Sequence, residues 1–226
     1  VVGGGPAGIA AAVSAARHGA NTLLVERYGF LGGMGTAGGV TNFAGLYGKR
    51  NGEMTLLVRG VADDLLDRIG ALGGLNKPQD GMQGRIRVRS YDTSAYKIAA
   101  DQLLLDAGVN LLFHAWAAAV IRDGDRIAAL VVETKSGRQA IRANAFIDAS
   151  GDADVAAFAG VPFEVGDGHG SGLFPTTMFR VGQVDAQPAL AAVGEFKAIN
   201  DLMAQVQAQK PGAYRFPREG AILRPN

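Results

Sequence analysis

The chain has 226 residues, which is enough for one large domain or two small ones. Its 22 basic and 21 acidic residues leave a net charge of +1, and this balance gives no sign of a nucleic-acid or membrane partner. Cysteine is absent, which excludes a dithiol redox centre, a thiolate nucleophile and a cysteine-linked cofactor. Because no run of about eighteen apolar residues occurs, we expect no membrane-spanning helix.

Residues 1–35 follow the order strand, glycine turn, helix, strand and second glycine loop. Gly3, Gly5 and Gly8 form a G-x-G-x-x-G pattern, whose glycines permit a tight turn, a close approach to a pyrophosphate and helix–strand packing. Pro6 lies near the first turn of a helix predicted over 7–19, where its missing N–H costs nothing. The N–H groups and the dipole at that helix end favour a phosphate.

Glu26 ends the second predicted strand, over 22–26, at the spacing of an acid that binds a ribose hydroxyl. The alternative is a tight strand–helix turn that binds nothing. The apolar strand end, the alanine-rich helix and the acid together favour a dinucleotide site.

The loop from Gly29 to Gly39 places backbone close to a ligand or forms a mobile linker, and its position after the acid-bearing strand favours the ligand. Residues 40–52 have no clear assignment, and 40–90 is a candidate insertion. A helix is predicted over 55–72. The alternation over 85–89 indicates a strand with one basic face, which we interpret as a solvated edge strand rather than a surface for an anionic ligand.

Asp92 is expected to cap a helix that runs to residue 107, and 109–113 fits a buried parallel strand. A β-meander follows, with a D-G turn at 123–124. The apolar run 145–149 is predicted to be a strand of the parallel sheet.

Ser150, Gly151 and Asp152 follow that run, at the carboxyl edge of the sheet where ligands of open α/β folds bind. Asp152 could instead cap a helix over 153–159, and the two roles can coexist. After Pro162 the composition changes, with a strand predicted over 175–181 and a helical stretch from 185. His169 and Arg180 are candidate substrate-facing residues there, although an ordinary loop histidine is the favoured interpretation of His169.

The motifs of this chain resemble those of the FAD-dependent oxidoreductases of the glutathione-reductase-like flavoprotein superfamily. The resemblance rests on GGGPAG at 3–8, LLVER at 23–27, GFLGGMGTAGG at 29–39, the meander around 122–126 and AFIDASGDADVAAFAGVPFE at 145–164, with PTTMFRVGQVD at 175–185 similar to one subgroup. It implies an α/β fold, in which 1–165 form a Rossmann-like FAD-binding domain with a parallel sheet and a β-meander crossover. Residues 166–226 would be part of a second, α+β substrate domain.

The resemblance also implies roles for individual residues. The glycines of the first motif would hold the pyrophosphate, Glu26 with Arg27 the adenosine ribose, and Ala117 the adenine through its backbone. Ser150 stands where the family's A-T-G-D turn has threonine, which keeps a hydroxyl. The implied cofactor-binding set is Gly3, Gly5, Pro6, Ala7, Gly8, Glu26, Arg27, Gly32, Gly33, Met34, Ala117, Ser150, Gly151 and Asp152.

The function expected from the sequence is hydride or electron transfer between a bound FAD and a small organic substrate, with no metal, no nucleic acid and no membrane partner. The alternatives are a superfamily member that uses its dinucleotide in non-redox or RNA-modifying chemistry, or a truncated, non-catalytic domain. Only two residues precede the glycines and no second G-D motif follows, so we expect a clipped N-terminus and a missing C-terminal return segment. A cytoplasmic location is expected, and the oligomeric state is left open.

Overall fold

A computed structural model describes residues 1–81, 84–168, 172, 176–179, 181–193 and 197–212, and the chain divides into two units, Val1–Phe163 and Glu164–Asn226. The helices of the first unit are α1 (Pro6–Arg17), α2 (Val61–Ala71), α3 (Thr93–Asp106) and α4 (Asp154–Phe158), with a 3-10 turn at Gly33–Gly35. Its strands are β1 (Leu23–Val25), β2 (Asn42–Phe43), β3 (Tyr47–Arg50), β4 (Glu53–Leu56), β5 (Gln79–Gly81), β6 (Ile86–Ser90), β7 (Asn110–Leu112), β8 (Trp116–Asp123), β9 (Arg126–Thr134) and β10 (Gly137–Ile141). The described helices of the second unit are α5 (Ala186–Val193) and α6 (Lys197–Gln209).

The parallel sheet is built around β1. It pairs in parallel with β7, and Val2 forms parallel bridges with Val25 and Asp148 on the other side. The parallel strand predicted over 109–113 is therefore confirmed. The strand predicted over 145–149 is reduced to the bridge at Asp148, because Gly3, with a φ of +99°, turns the chain away directly after Val2.

Strands β8, β9 and β10 form an antiparallel meander, as predicted. Strand β8 lies at the edge of this three-stranded sheet, and its pairing with β9 shifts register between Ala117 and Ala119. A shift of this kind is a β-bulge, which leaves a residue outside the regular ladder. The α/β class with a parallel sheet and a meander is confirmed.

The parallel sheet separates two apolar clusters, because successive side chains of a strand point to opposite faces. Leu24 of β1 packs on the helix side, against Ile9 and Val13 of α1 and Leu103 of α3. Val25 packs on the meander side with five other buried residues, Val2, Ala115, Leu130, Val132 and Val155. The first unit therefore has three layers, which are the helices, the parallel sheet and the meander.

Helix α2 begins six residues later than the predicted start at residue 55, so the N-terminal boundary of that prediction is wrong. Residues Glu53–Leu56 instead pair with β3 in a hairpin. The hairpin turn is Asn51–Gly52, with φ of +53° and +86°, and positive φ at both turn residues is what an N-G hairpin requires.

Strand β6 is central, between β2 and β5, so the prediction of an edge strand is wrong. Its basic residues have partners instead of facing open solvent. Arg87 Nε donates to Asp80 at 2.6 Å, and Arg89 Nε donates to the carbonyl oxygen of Asn76 at 3.2 Å. The predicted cap of α3 is confirmed, since the Ala95 N–H donates to Asp92 Oδ1 at 2.8 Å.

The second unit differs from its prediction in one element. Residues 176–179 and 181, which were predicted to be part of a strand, are exposed and have no regular secondary structure, and none of the described strands pairs with them. The helical stretch predicted from residue 185 is present as α5 and α6. Across the described residues, no helix is long and apolar enough to cross a membrane.

Candidate functional site

The first glycine turn brings β1, α1 and the bridge at Asp148 into close contact. A Cβ atom at Gly8 would overlap the carbonyl oxygen of Gly3, and one at Gly3 would overlap the carbonyl oxygen of Ala149. Both obstacles are backbone atoms, which cannot move without shifting the sheet. Glycine is therefore required at these two positions by the packing of the protein itself.

Gly5 has no such requirement within the protein. The nearest atom to a Cβ at this position is the Cα of Gly33, at 3.9 Å, and its φ of −71° suits any residue. Helix α1 begins at the next residue, Pro6, and no side chain caps its N-terminus. Open space beside Gly5 and uncapped helix N–H groups are the features that an anionic group such as pyrophosphate uses.

The second glycine loop is fastened to the first. The Gly32 N–H donates to the Gly4 carbonyl oxygen at 2.8 Å, and a Cβ at Gly33 would lie 2.9 Å from the Cα of Gly5. The Tyr91 hydroxyl reaches the Val40 carbonyl oxygen at 2.6 Å and so fixes the far side of the loop. These contacts argue against a mobile linker and place two glycines of the loop beside the turn.

The Glu26 side chain is buried, with 6% of its surface exposed, and it holds the glycine turn. Its Oε2 accepts the Gly4 N–H at 2.6 Å, and its Oε1 accepts the Tyr28 N–H at 2.8 Å. Each carboxylate oxygen keeps further lone-pair capacity, so a ribose hydroxyl could still donate to it. The ribose contact stays a prediction, while the contact with Gly4 is a second role that the spacing of the motif does not indicate.

A small cavity of about 50 Å³ opens between β1, the start of the meander and the turn after Asp148. It brings together five of the predicted cofactor residues, which are Gly3, Glu26, Arg27, Ala117 and Ser150. The other residues of its lining are Val2, Val25, Ala115, Trp116 and Asp154. Trp116 and Asp154 were missed by the sequence reasoning, although Trp116 is the only tryptophan and directly precedes Ala117.

The turn after the parallel sheet is organised by Asp148, which the sequence reasoning also missed. Its Oδ1 accepts the Ser150 hydroxyl at 2.6 Å and the Ser150 N–H at 3.0 Å, and its Oδ2 accepts the Ala156 N–H at 2.9 Å. Burial opposes ionisation, but these hydrogen bonds outweigh it and hold the pKa of Asp148 below its usual value. The sequence did contain a signal for this role, which is an acidic residue near the end of an apolar run.

Asp152 does not cap the following helix, so that alternative is wrong. The N-cap of α4 is Ala153, with a φ of +59° and no side-chain cap, and the Asp154 N–H donates to the Ser150 hydroxyl at 2.9 Å. Gly151 and Asp152 are exposed and lie outside the small cavity.

We expect Asp148→Asn to lower the free energy of unfolding by about 2 kcal/mol at neutral pH, because charge-assisted hydrogen bonds to Ser150 and Ala156 are lost. A depressed pKa stabilises the fold above the pKa of the unfolded chain, and this stabilisation is lost as the pH falls through the lower pKa of the folded chain. Urea unfolding across this range should therefore show the two proteins converging in acid. A difference that persists at low pH would contradict this role.

A larger cavity of about 400 Å³ lies between α1, α2 and the second glycine loop. Pro6 and Met34 bring it next to the first glycine turn, and none of the described residues that line it is charged. The remaining lining residues are Ile9, Ala10, Gly35, Val40, Asn42, Phe43, Ala44, Gly45, Leu46, Val58, Val61, Ala62, Leu65, Leu66, Tyr91 and Tyr96.

Three aromatic residues form one wall of this larger cavity. The Phe43 ring lies 4.5 Å from the Tyr91 ring and 5.5 Å from the Tyr96 ring, measured between centroids. Tyr96 is fully buried, its hydroxyl has no hydrogen-bond partner among the described residues, and burial raises its pKa above the usual range. The cavity therefore offers an uncharged, largely apolar environment.

The remaining residues that were predicted for the site do not lie together in one cavity. Ala7 and Met34 are exposed near the helix N-terminus, and His169 and Arg180 lie outside the described residues. Within the described part of the chain, no group of three or more histidine, aspartate or glutamate side chains could hold a metal ion.

A protein-family model described as FAD dependent oxidoreductase matches residues 1–225 of the chain. A search of curated proteins found no match.

Solved structures with a similar backbone include several larger proteins. The flavin-dependent brominase Bmp2, as a triple mutant, has 17% identity and a TM-score of 0.50, and the alignment covers 71% of this chain and 40% of the brominase. THI4 of Thermovibrio ammonificans has 20% identity and a TM-score of 0.48, with coverage of 69% and 57%. A geranylgeranyl bacteriochlorophyll reductase-like protein of Thermoplasma acidophilum has 19% identity and a TM-score of 0.46, with coverage of 70% and 40%.

The chain therefore spans less than two thirds of the length of each of these structures. At such identities, the likeness to the brominase concerns the fold alone.

Proposed function

Because the chain belongs to the FAD-dependent oxidoreductase family, we propose that it binds FAD and supports transfer of hydride or an electron pair between the flavin and a small organic substrate. The flavin supplies the redox chemistry when it is bound, and the protein supplies binding and orientation. The observation that carries the proposal is the open space at Gly5, beside an uncapped helix N-terminus. A pyrophosphate accounts for a glycine that the protein itself does not require.

The residues of the site fit the parts of a dinucleotide in order. Gly5 and the start of α1 would hold the pyrophosphate, and Glu26 with Arg27 would hold the adenosine ribose. Ala117 would meet the adenine, because it shares the small cavity with both of those side chains. Gly32, Gly33 and Met34 would pass toward the flavin.

The larger cavity is our proposed location for the reacting end of the site. It adjoins Pro6 and Met34 at the pyrophosphate turn, and it shares no lining residue with the adenosine cavity. Since its described lining is uncharged, a neutral, apolar organic substrate suits it better than a carboxylate or an amine.

We expect Ala62→Phe to reduce the rate of flavin reduction by substrate at least tenfold while FAD content stays near that of the unmodified protein. Ala62 lies on α2 in the wall of the larger cavity, and the added ring would fill substrate space. Ala71→Phe is the matched control, because Ala71 is exposed at the end of the same helix. Equal rates in both variants, measured by stopped-flow absorbance, would place the substrate elsewhere.

We also infer that the chain falls within the glutathione-reductase-like flavoprotein superfamily. The order of glycine turn, parallel strands and meander supports this inference. The net charge of +1 disfavours the RNA-modifying alternative. A small-molecule substrate without a nucleic-acid or membrane partner, a cytoplasmic location and the domain limits 1–165 and 166–226 stay predictions.

Redox function is tested by an anaerobic screen of neutral organic donors against the FAD-loaded protein. We expect at least one class of donor to bleach the visible absorbance of the flavin, and oxygen or another acceptor to restore it. A bound flavin that dithionite reduces but no organic donor reduces would favour the non-redox alternative.

A further inference from the structure

Trp116 and Arg27 form a cation–π pair in the lining of the small cavity. The Arg27 Cζ lies 5.3 Å from the centre of the Trp116 ring and 4.9 Å from the centre of the Tyr28 ring, so the guanidinium contacts two aromatic faces. Both Arg27 and Trp116 line the cavity that contains Glu26. The electron-rich indole of Trp116 and the cationic guanidinium of Arg27 therefore lie beside Glu26, the residue predicted to bind the ribose.

Trp116 is largely exposed although it stands next to the core. This residue keeps 56% of its surface exposed at the first position of β8, while its neighbour Ala115 is buried in the core. A large exposed indole is uncommon unless it contacts something outside the protein core. Its position points to a ligand in the cavity.

Arg27 is also available to a ligand. Among the described residues it forms no ion pair with a carboxylate, because the neighbouring Glu26 carboxylate turns inward to Gly4 and Tyr28. Its guanidinium is held instead by the two aromatic rings. Held in this way, the guanidinium keeps its N–H groups beside the cavity, where they can donate to the ring nitrogens of a purine.

The backbone beside Trp116 is suited to a nucleobase as well. Strand β8 is the edge of the meander, so the backbone groups on its outer side have no neighbouring strand among the described residues. The register shift between Ala117 and Ala119 interrupts the pairing of β8 with β9 after Ala117, the residue that follows Trp116. Polar groups at the edge of a base could hydrogen-bond to this backbone while the ring lies against the side chains.

We propose that the adenine ring of the cofactor stacks on Trp116, with the Arg27 guanidinium beside it as a hydrogen-bond donor, and that these two residues provide the base-dependent part of its affinity. The proposal rests on the FAD-binding function above. It adds a residue, Trp116, and a role for Arg27 different from ribose binding.

The test uses the 226-residue chain, in which Trp116 is the only tryptophan and therefore the only indole fluorophore. AMP should change the tryptophan fluorescence in a saturable titration, whereas ribose 5-phosphate, which lacks the base, should leave it unchanged. Calorimetry should show that Trp116→Ala weakens AMP and FAD binding about tenfold, in keeping with base–aromatic stacking, and that Trp116→Phe recovers most of the loss.

The matched control is Ile121→Ala, since Ile121 is an exposed apolar residue farther along the same strand. It should leave AMP affinity unchanged, and thermal unfolding should show that both alanine variants keep the fold. If FAD binds but AMP leaves the fluorescence unchanged, or if Trp116→Ala binds AMP as well as the unmodified chain, this proposal is overturned and FAD binding stands. If neither AMP nor FAD binds, both proposals fail.

Discussion

Gly5→Ala should weaken FAD binding at least tenfold, a loss of about 1.4 kcal/mol or more, without destabilising the fold. The added methyl group meets only the Gly33 Cα at 3.9 Å, and the backbone at this position is extended, so the protein can accommodate alanine. The same methyl group would occupy the space into which we place the pyrophosphate. FAD titration should show the loss of affinity, while urea unfolding of the cofactor-free protein should stay within about 0.5 kcal/mol of the unmodified chain.

The matched variant Gly8→Ala should instead destabilise the fold. Its methyl group overlaps the Gly3 carbonyl oxygen, a backbone atom of the turn, so we expect a loss of about 3 kcal/mol in unfolding free energy. The contrast separates a glycine that the ligand needs from a glycine that the fold needs. Full FAD affinity in Gly5→Ala, or equal destabilisation by both variants, would show that the pyrophosphate is placed wrongly.

Removal of the Glu26 carboxylate should have the second large effect, and it should appear even without cofactor. Glu26→Ala leaves the Gly4 and Tyr28 N–H groups without their acceptors, and we expect a cost of about 3 kcal/mol in unfolding free energy. Glu26→Gln keeps the shape and one acceptor oxygen, so its loss should be roughly half as large. Both variants should also bind FAD more weakly, because the glycine turn is no longer held.

Urea unfolding of the cofactor-free variants measures this effect. Glu53→Ala is the control, because Glu53 is exposed at the start of β4 and its removal should change stability by less than about 0.5 kcal/mol. If Glu26→Ala were as stable as the control but bound no FAD, Glu26 would act on the ribose alone.

The sequence predicts the elements whose signals are local. The glycine pattern, the Asp92 cap and the hairpin turn after β8 each depend on a few adjacent residues, and all three are present in the structure. The turn residues are Gly124 and Asp125 rather than the predicted 123–124, because Asp123 pairs with Arg126. The Asn51–Gly52 hairpin had an equally local signal, and the helical periodicity assigned to 55–72 obscured it.

Other features depend on contacts between distant residues and could not be read from spacing. The central position of β6 follows from pairing with both β2 and β5, which alternation alone does not reveal. The contact of Glu26 with Gly4 and the assembly of Arg27 with Trp116 join residues that lie 22 or more positions apart. Composition likewise gave no sign of the uncharged cavity between α1 and α2, because its wall is assembled from five separate parts of the chain.

The most direct measurement is the identity and amount of the cofactor that the purified protein releases on denaturation. We predict a yellow protein whose supernatant contains FAD, at close to one molecule per chain, after saturation with FAD and removal of the excess. The flavin should be FAD rather than FMN, because we place the adenosine half in the cavity that Glu26, Arg27 and Trp116 line. A colourless protein that retains no flavin, or one that retains FMN as tightly as FAD, would contradict the proposed site.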